Sequence, residues 1–326
     1  MEKYFLGIAT LALFLMGFQQ KTAEKEPETK VELGEKLFFD PILSSKRTLS
    51  CASCHRPEFA FADTSQFSQG VNGIPTTRNT PSAMNLAGRL QLFWDGRAGT
   101  LEEQALQPIA AANEMNLPIT EAVTRLNADP DYTKAFKKVF KSKPTERTLA
   151  EALAAYERTL ETANTPYDRY LNGNETAMSP EAIRGRILFV GKANCANCHS
   201  GEDFTADRFK NIGLYDGKRF RDTGRFNITR DSTHIGHFKV PGLRNVALTA
   251  PYMHDGSFKT LREVINYYNR PDSLVKNGLN RDLSLSTPLG LTESEMADIE
   301  AFLYALTDDR FAKNGTSTYS KNQSKK

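Results

Sequence analysis

Two five-residue segments constrain this chain more than anything else in it: Cys51-Ala52-Ser53-Cys54-His55 and Cys195-Ala196-Asn197-Cys198-His199. Together they hold all four of its cysteines. Two thiols three positions apart on one helical turn can add to the two vinyl groups of a single haem, and the adjacent histidine then reaches the iron from the same side. A four-cysteine zinc site would not require a histidine directly after each pair. A redox dithiol would not be duplicated together with the helix before it. The spacing therefore predicts two covalently attached haem c groups, with His55 and His199 as proximal iron ligands.

The motifs sit in a wider repeat. Gly34-x-x-x-Phe38 precedes the first and Gly185-x-x-x-Phe189 the second, each in a short helical pattern. Ser179 and Pro180 read as the N-cap and first residue of the second of these helices. A glycine there marks close helix packing, and the phenylalanine one turn on covers an apolar face. Between the copies Leu149, Leu153, Tyr156 and Leu160 recur at helical spacing after Thr145. A last helix begins at Thr292, where Glu295 completes a capping box, and buries Ile299, Phe302, Leu303 and Leu306. Alternating strand patterns longer than a few residues are absent. The expected fold is mainly α: two class I cytochrome c-like haem domains, residues 24–166 and 167–310, packed around an interface, with a disordered tail over 311–326.

Residues 1–23 read as a secretory signal. A charged start precedes the uncharged, mostly apolar run Tyr4–Phe18, too short at fifteen residues for a membrane span of about 20. Export to a periplasm is expected, with no membrane span in the mature chain. Net charge is only +3, which argues against nucleic acid as a partner.

The sixth iron position separates an electron carrier from an enzyme. The other histidines, His234, His237 and His254, all fall in the second half. From the first motif onward the first half offers only Met84 and Met115, with Met178 at the junction. The first haem is therefore the candidate for an open site. His234 and His237 have no evident task and read as surface positions.

Further segments resemble the bacterial di-haem cytochrome c peroxidases and their MauG-type relatives, from about Leu33 to Asp308. These are Leu92-Phe93-Trp94-Asp95-Gly96-Arg97, Glu103-Gln104-Ala105-Leu106-Gln107-Pro108 and Glu114-Met115, then Lys239-Val240-Pro241-Gly242-Leu243-Arg244-Asn245-Val246 and Thr249-Ala250-Pro251-Tyr252-Met253-His254-Asp255-Gly256. The resemblance implies that peroxide reacts at the N-terminal haem, that Glu114 moves its proton, and that Gln104 and Pro108 line the same pocket. It implies that Trp94, the only tryptophan, lies between the haems and relays electrons, and that Asn79, Thr249 and Pro251 hold a calcium ion. A small c-type cytochrome is the implied electron donor, and the resemblance admits a homodimer.

Two departures matter. Peroxidases that need reductive activation carry a removable distal histidine in the loop after the first motif. Here Ser65–Thr77 has none, and Val71 stands about where it would be. Where those enzymes place a methionine fourteen residues after the histidine of His-Asp-Gly, this chain has Tyr268, as MauG-type proteins do. A phenolate is a hard anionic ligand that favours ferric and higher iron. Tyr267, Met253 and His254 are the alternative caps. The expected activity is reduction of hydrogen peroxide with cytochrome c electrons. The alternatives are a MauG-like oxidation of residues on a partner protein and a non-enzymatic di-haem electron carrier.

Overall fold

The computed structural model describes residues 26–311, so the expected signal segment and all but the first residue of the expected tail lie outside the described residues. The fold is mainly helical. Its first half carries α1 (Lys30–Phe39), α2 (Leu101–Ala110), α3 (Ile119–Ala128), α4 (Pro130–Phe140) and α5 (Glu146–Glu157). The second half adds α6 (Pro166–Leu171), α7 (Pro180–Val190), α8 (Phe226–Thr229), α9 (Leu261–Asn269) and α10 (Glu293–Tyr304). Strands β1 (Phe209–Lys210) and β2 (Phe238–Lys239) pair antiparallel, Phe209 opposite Lys239.

Short-range chemistry starts these helices. Ser179 caps α7 with Pro180 in its first turn, and Thr292 and Glu295 form a capping box on α10. Thr145 caps α5, which stops at Glu157; Leu160 lies beyond the helix yet is buried in the same core. Each Gly-x-x-x-Phe helix packs against the last long helix of its half. A Cβ on Gly34 of α1 would overlap the Ala152 carbonyl of α5, and one on Gly185 of α7 would overlap the Asp298 carbonyl of α10. Phe38 and Phe189, one turn on, are buried in the two separate apolar clusters so formed.

The repeat extends further than its helices. Leu92 and Ala98 bridge across a tight turn, as do Tyr252 and Phe258. Phe93 and Gly96 take positive φ in the first turn, Met253 and Gly256 in the second. Thr100 then caps α2 and Thr260 caps α9. The same offset carries Trp94 to His254, Asp95 to Asp255 and Pro108 to Tyr268.

Ion pairs join the halves. Arg78 reaches Asp222 at 2.6 Å while also holding Asp95 of its own half at 2.5 Å, and Arg89 pairs across with Asp203 and Asp207. Phe311, placed in the tail on sequence grounds, is buried in the first cluster. The Asp308 carboxylate accepts from Ala163 N–H at 2.7 Å, and the Asp308 N–H donates to Asn245 at 2.8 Å, which turns the chain end back towards that core.

Two candidate haem sites and the interface between them

Cys51–Ser53 forms a single 3-10 turn, and the His55 N–H donates to the Cys51 carbonyl at 2.8 Å. The turn therefore presents both thiols and the imidazole together. His55 Nδ1 lies 3.0 Å from the Phe61 carbonyl. A carbonyl only accepts, so Nδ1 carries the proton and Nε2 keeps its lone pair. Burial lowers the imidazole pKa, which favours the neutral, ligating form. His199 repeats this: its N–H donates to the Cys195 carbonyl at 2.9 Å, and its Nδ1 meets the Phe204 carbonyl at 3.0 Å. Phe61 and Phe204 both take positive φ. Sequence patterns miss these two orienting groups because they are backbone atoms.

The donor set fits covalent haem. All four cysteines are free. Burial pushes Cys54 up to about 11 and Cys195 up to about 12, and raises Cys51 and Cys198, so the thiols are neutral. Cys51, Cys54 and His55 line a cavity of 590 Å³ with Phe38, Trp94 and Glu114. That volume is in the range of a cofactor pocket, about 300–1,000 Å³.

Gln104 and Pro108 of α2 and Glu114 just after it line this cavity too. The side chains of Gln104 and Glu114 have no hydrogen-bond partner among the described residues and are open to the cavity. Burial raises the Glu114 pKa, while the Arg97 guanidinium pulls it down. Arg97 is held by Asp95 at 3.0 Å and Gln107 at 3.0 Å and lies over the Phe93 ring. The loop after the motif is closed against this segment: Val71 N–H donates to the Glu114 carbonyl at 2.8 Å. Gly70 packs so tightly on Asn113 that a Cβ there would overlap its carbonyl. The Met84 sulfur, one of the two methionines of the first half, accepts from Asn245.

In the second site, Tyr267 donates its hydroxyl to the Ile212 carbonyl at 2.6 Å and is buried. The Tyr268 hydroxyl has no hydrogen-bond partner among the described residues. Its phenol pKa is raised by burial first, and by the neighbouring Tyr267, Cys195 and Cys198, which places it beside the motif. Met253 and Tyr268 both pack against the buried cluster that contains Tyr267. His254 stacks on Phe238, ring centres 3.7 Å apart. His234 and His237 are half-buried rather than at the surface: their rings meet edge to face at 5.7 Å, and His234 Nδ1 bonds Thr229 at 3.0 Å. The loop carrying them is tied down by the Asn211 amide, which donates to the Ile235 carbonyl at 2.7 Å, and by the Asn280 amide, which donates to the Ser232 carbonyl at 3.1 Å.

Trp94 is held from both halves. Its indole N–H donates to the Asn79 carbonyl at 2.8 Å, and its own carbonyl accepts from Lys239 N–H at 2.8 Å. Asn79 is buried, and its N–H donates to the His254 carbonyl at 2.8 Å. This bond sets Asn79 against the segment that follows Thr249 and Pro251. The Asn79 amide donates to the Ser65 and Gln66 carbonyls, which leaves its oxygen as the acceptor of that side chain. Glu157, a cavity residue with no place in the sequence reading, had one signal: an acid beside the apolar run Leu149, Leu153 and Tyr156.

The chain is similar to known proteins over most of its length. Residues 28–176 match the family model for di-haem cytochrome c peroxidase. The methylamine utilization protein MauG of Methylorubrum extorquens is 41% identical over 284 residues, which cover 85% of this chain and 78% of that protein. The cytochrome c551 peroxidase of Nitrosomonas europaea is 34% identical over 293 residues, 89% of this chain and 83% of its own. A crystal structure of a MauG-like protein associated with microbial copper homeostasis aligns with a TM-score of 0.79 at 35% identity, covering 89% of this chain and 94% of that one. With its two Cys-x-x-Cys-His turns, the chain belongs to the di-haem cytochrome c peroxidase family, in which the MauG proteins are among its relatives.

Proposed function

We propose that the chain is an exported peroxidase that reduces hydrogen peroxide to water at the His55 site, with electrons delivered by a small c-type cytochrome at the His199 site. The observation that carries this reading is the asymmetry of the repeat. Where the second half has Tyr268, the first has Pro108, whose ring offers no donor atom to a metal, and the unbonded Glu114 carboxyl stands beside it in the cavity. That contrast supports Tyr268 as the ligand of the second iron and an open position at the first, and it opposes a carrier with both irons capped.

Haem c, held by Cys51, Cys54 and His55, would supply an iron able to bind peroxide and to pass electrons to it. Glu114 takes the proton of the nearer peroxide oxygen and returns it to the farther one, so that water is the leaving group. Gln104 offers an amide to the bound peroxide. Each turnover consumes two electrons and two protons and yields two waters. Trp94 relays electrons between the sites in this reading, supported by its hydrogen bonds to Asn79 of the first half and Lys239 of the second. Residues 24–166 and 167–310 then act as two class I cytochrome c-like domains. Calcium held by Asn79, Thr249 and Pro251 would stiffen the interface through oxygen ligands.

The unbonded Tyr268 hydroxyl beside Cys195 and Cys198 favours a second reading, MauG-like oxidation of residues on a partner protein. Steady oxidation of reduced cytochrome c supports the first reading, and slow oxidation of one specific protein the second.

The test is stopped-flow mixing of fully ferric protein with one equivalent of hydrogen peroxide. A prompt Soret change is expected without prior reduction, slowed about 10²–10⁴-fold in Glu114→Gln. A response only after one centre is reduced would overturn the open site, and near-normal rates in Glu114→Gln would remove its role.

A further inference from the structure

The mechanism above leaves unused a buried carboxyl of the first cavity that, unlike Asp95, has no hydrogen-bond partner among the described residues. Glu157 ends α5, is 6% exposed, and lines the cavity together with Cys51, His55 and Glu114. Its Oε2 is buried with no hydrogen-bond partner among the described residues. A carboxylate in that position lacks both solvent and donors, so its anion is costly and its neutral form favoured.

The charged groups around it do not reverse this. Arg158, next on the same chain, turns outward to bond Glu102 of α2 at 2.8 and 2.9 Å. Arg158 favours the anion, Glu102 opposes it, and burial dominates both, so the Glu157 carboxyl is pushed up to about 8. Cys51, another lining residue of the cavity, is near enough for its thiol to sense both Glu157 and Glu114. Haem attachment turns that thiol into a thioether, which no longer titrates. Glu157 is thus an acid poised near neutrality, walled by Phe38 and Leu153, in the cavity where the first haem is attached.

We propose that Glu157 is the redox-linked proton site of the first haem centre: its Oε2 binds one proton from solvent as that centre gains one electron from the donor, and releases it when the electron leaves. An added electron raises the negative charge facing the carboxyl in a low-dielectric cavity, and the proton compensates it. The proton so held stands in the same cavity that consumes protons during peroxide reduction. The proposal rests on haem at Cys51 and Cys54, as the functional reading does, but not on turnover.

The test is a redox titration of the holoprotein, followed at the absorbance of the open, high-spin centre from about pH 6 to about pH 10. As pH rises past 8, the reduction equilibrium of the wild type should fall by up to about tenfold per pH unit. Glu157→Gln should be flat in that window, while Glu114→Gln should keep the slope. Reduced-minus-oxidised infrared spectra should show a protonated carboxyl band in the wild type that Glu157→Gln lacks. A pH-independent wild type, a slope that survives in Glu157→Gln, or a wild-type difference spectrum without the carboxyl band would each overturn the proposal. The wild-type measurements decide it even if the variant does not fold. Loss of peroxide reactivity with the slope intact would instead count against the functional reading.

Discussion

Substituting Gly34→Ala sets two opposed effects against each other. Alanine favours a helix over glycine by about 0.5–1 kcal/mol, so α1 taken alone would gain stability. The tertiary structure reverses that sign. A Cβ at position 34 would overlap the Ala152 carbonyl oxygen and stand 2.7 Å from its carbon and 2.9 Å from the Tyr156 Cβ. These obstacles are two backbone atoms and a Cβ of α5, so no flexible side chain can swing away and the helices themselves must part. Leu33, Leu37, Phe38, Leu149 and Leu153, all 0–1% exposed, would lose contact as they do. Overpacking against rigid structure costs about 1–3 kcal/mol, and the upper end applies here. Net of helix propensity, we expect a loss of about 2 kcal/mol. Thermal unfolding of the holoprotein should fall by roughly 4–8 °C for a unit of this size. The Phe38 ring lies 6.4 Å from the His55 ring, so the absorbance of the first centre should shift before that of the second. Equal or higher stability in Gly34→Ala would refute the close-packing argument, because propensity alone would then govern the site.

Three further outcomes are expected. Burial raises the Glu114 pKa against the pull of Arg97, and the anion is the proton acceptor. The bimolecular rate with peroxide should therefore rise as pH climbs through that raised value, and Glu114→Gln should show no such rise. Tyr268→Phe should change the ferric EPR signal of the second centre and leave the high-spin signal of the first intact, whereas an unchanged spectrum would rule out the tyrosine ligand. Chelation of calcium should slow the peroxide reaction, with recovery on adding calcium but not magnesium; a rate indifferent to chelation would dismiss the ion.

Much of this protein is legible in its sequence because the Cys-x-x-Cys-His motif and helix initiation are local. Two cysteines and a histidine on one turn need no distant partner to declare their chemistry, and both motifs form the same 3-10 turn. Ser179, Thr292 and Thr145 cap their helices through residues three positions on. The Gly-Phe repeat is visible for the same reason, although its meaning, a carbonyl of another helix where a Cβ would be, is not.

What tertiary structure decided are matters of through-space partnership. Tyr267 and Tyr268 are adjacent and chemically identical, and the Ile212 carbonyl, brought from a remote segment, occupies one hydroxyl while the other stays unbonded. The carbonyls of Phe61 and Phe204 fix the histidine tautomers, yet backbone atoms leave no mark in composition. Phe311 joins the first core, built from residues far from it in sequence, while His234 and His237 are half-buried against each other and Thr229. Glu157 reads as one more helix acid until the fold closes over it and leaves an oxygen without a donor. Local rules write which groups exist; only the path of the chain sets which of them meet water, a partner or an empty cavity wall.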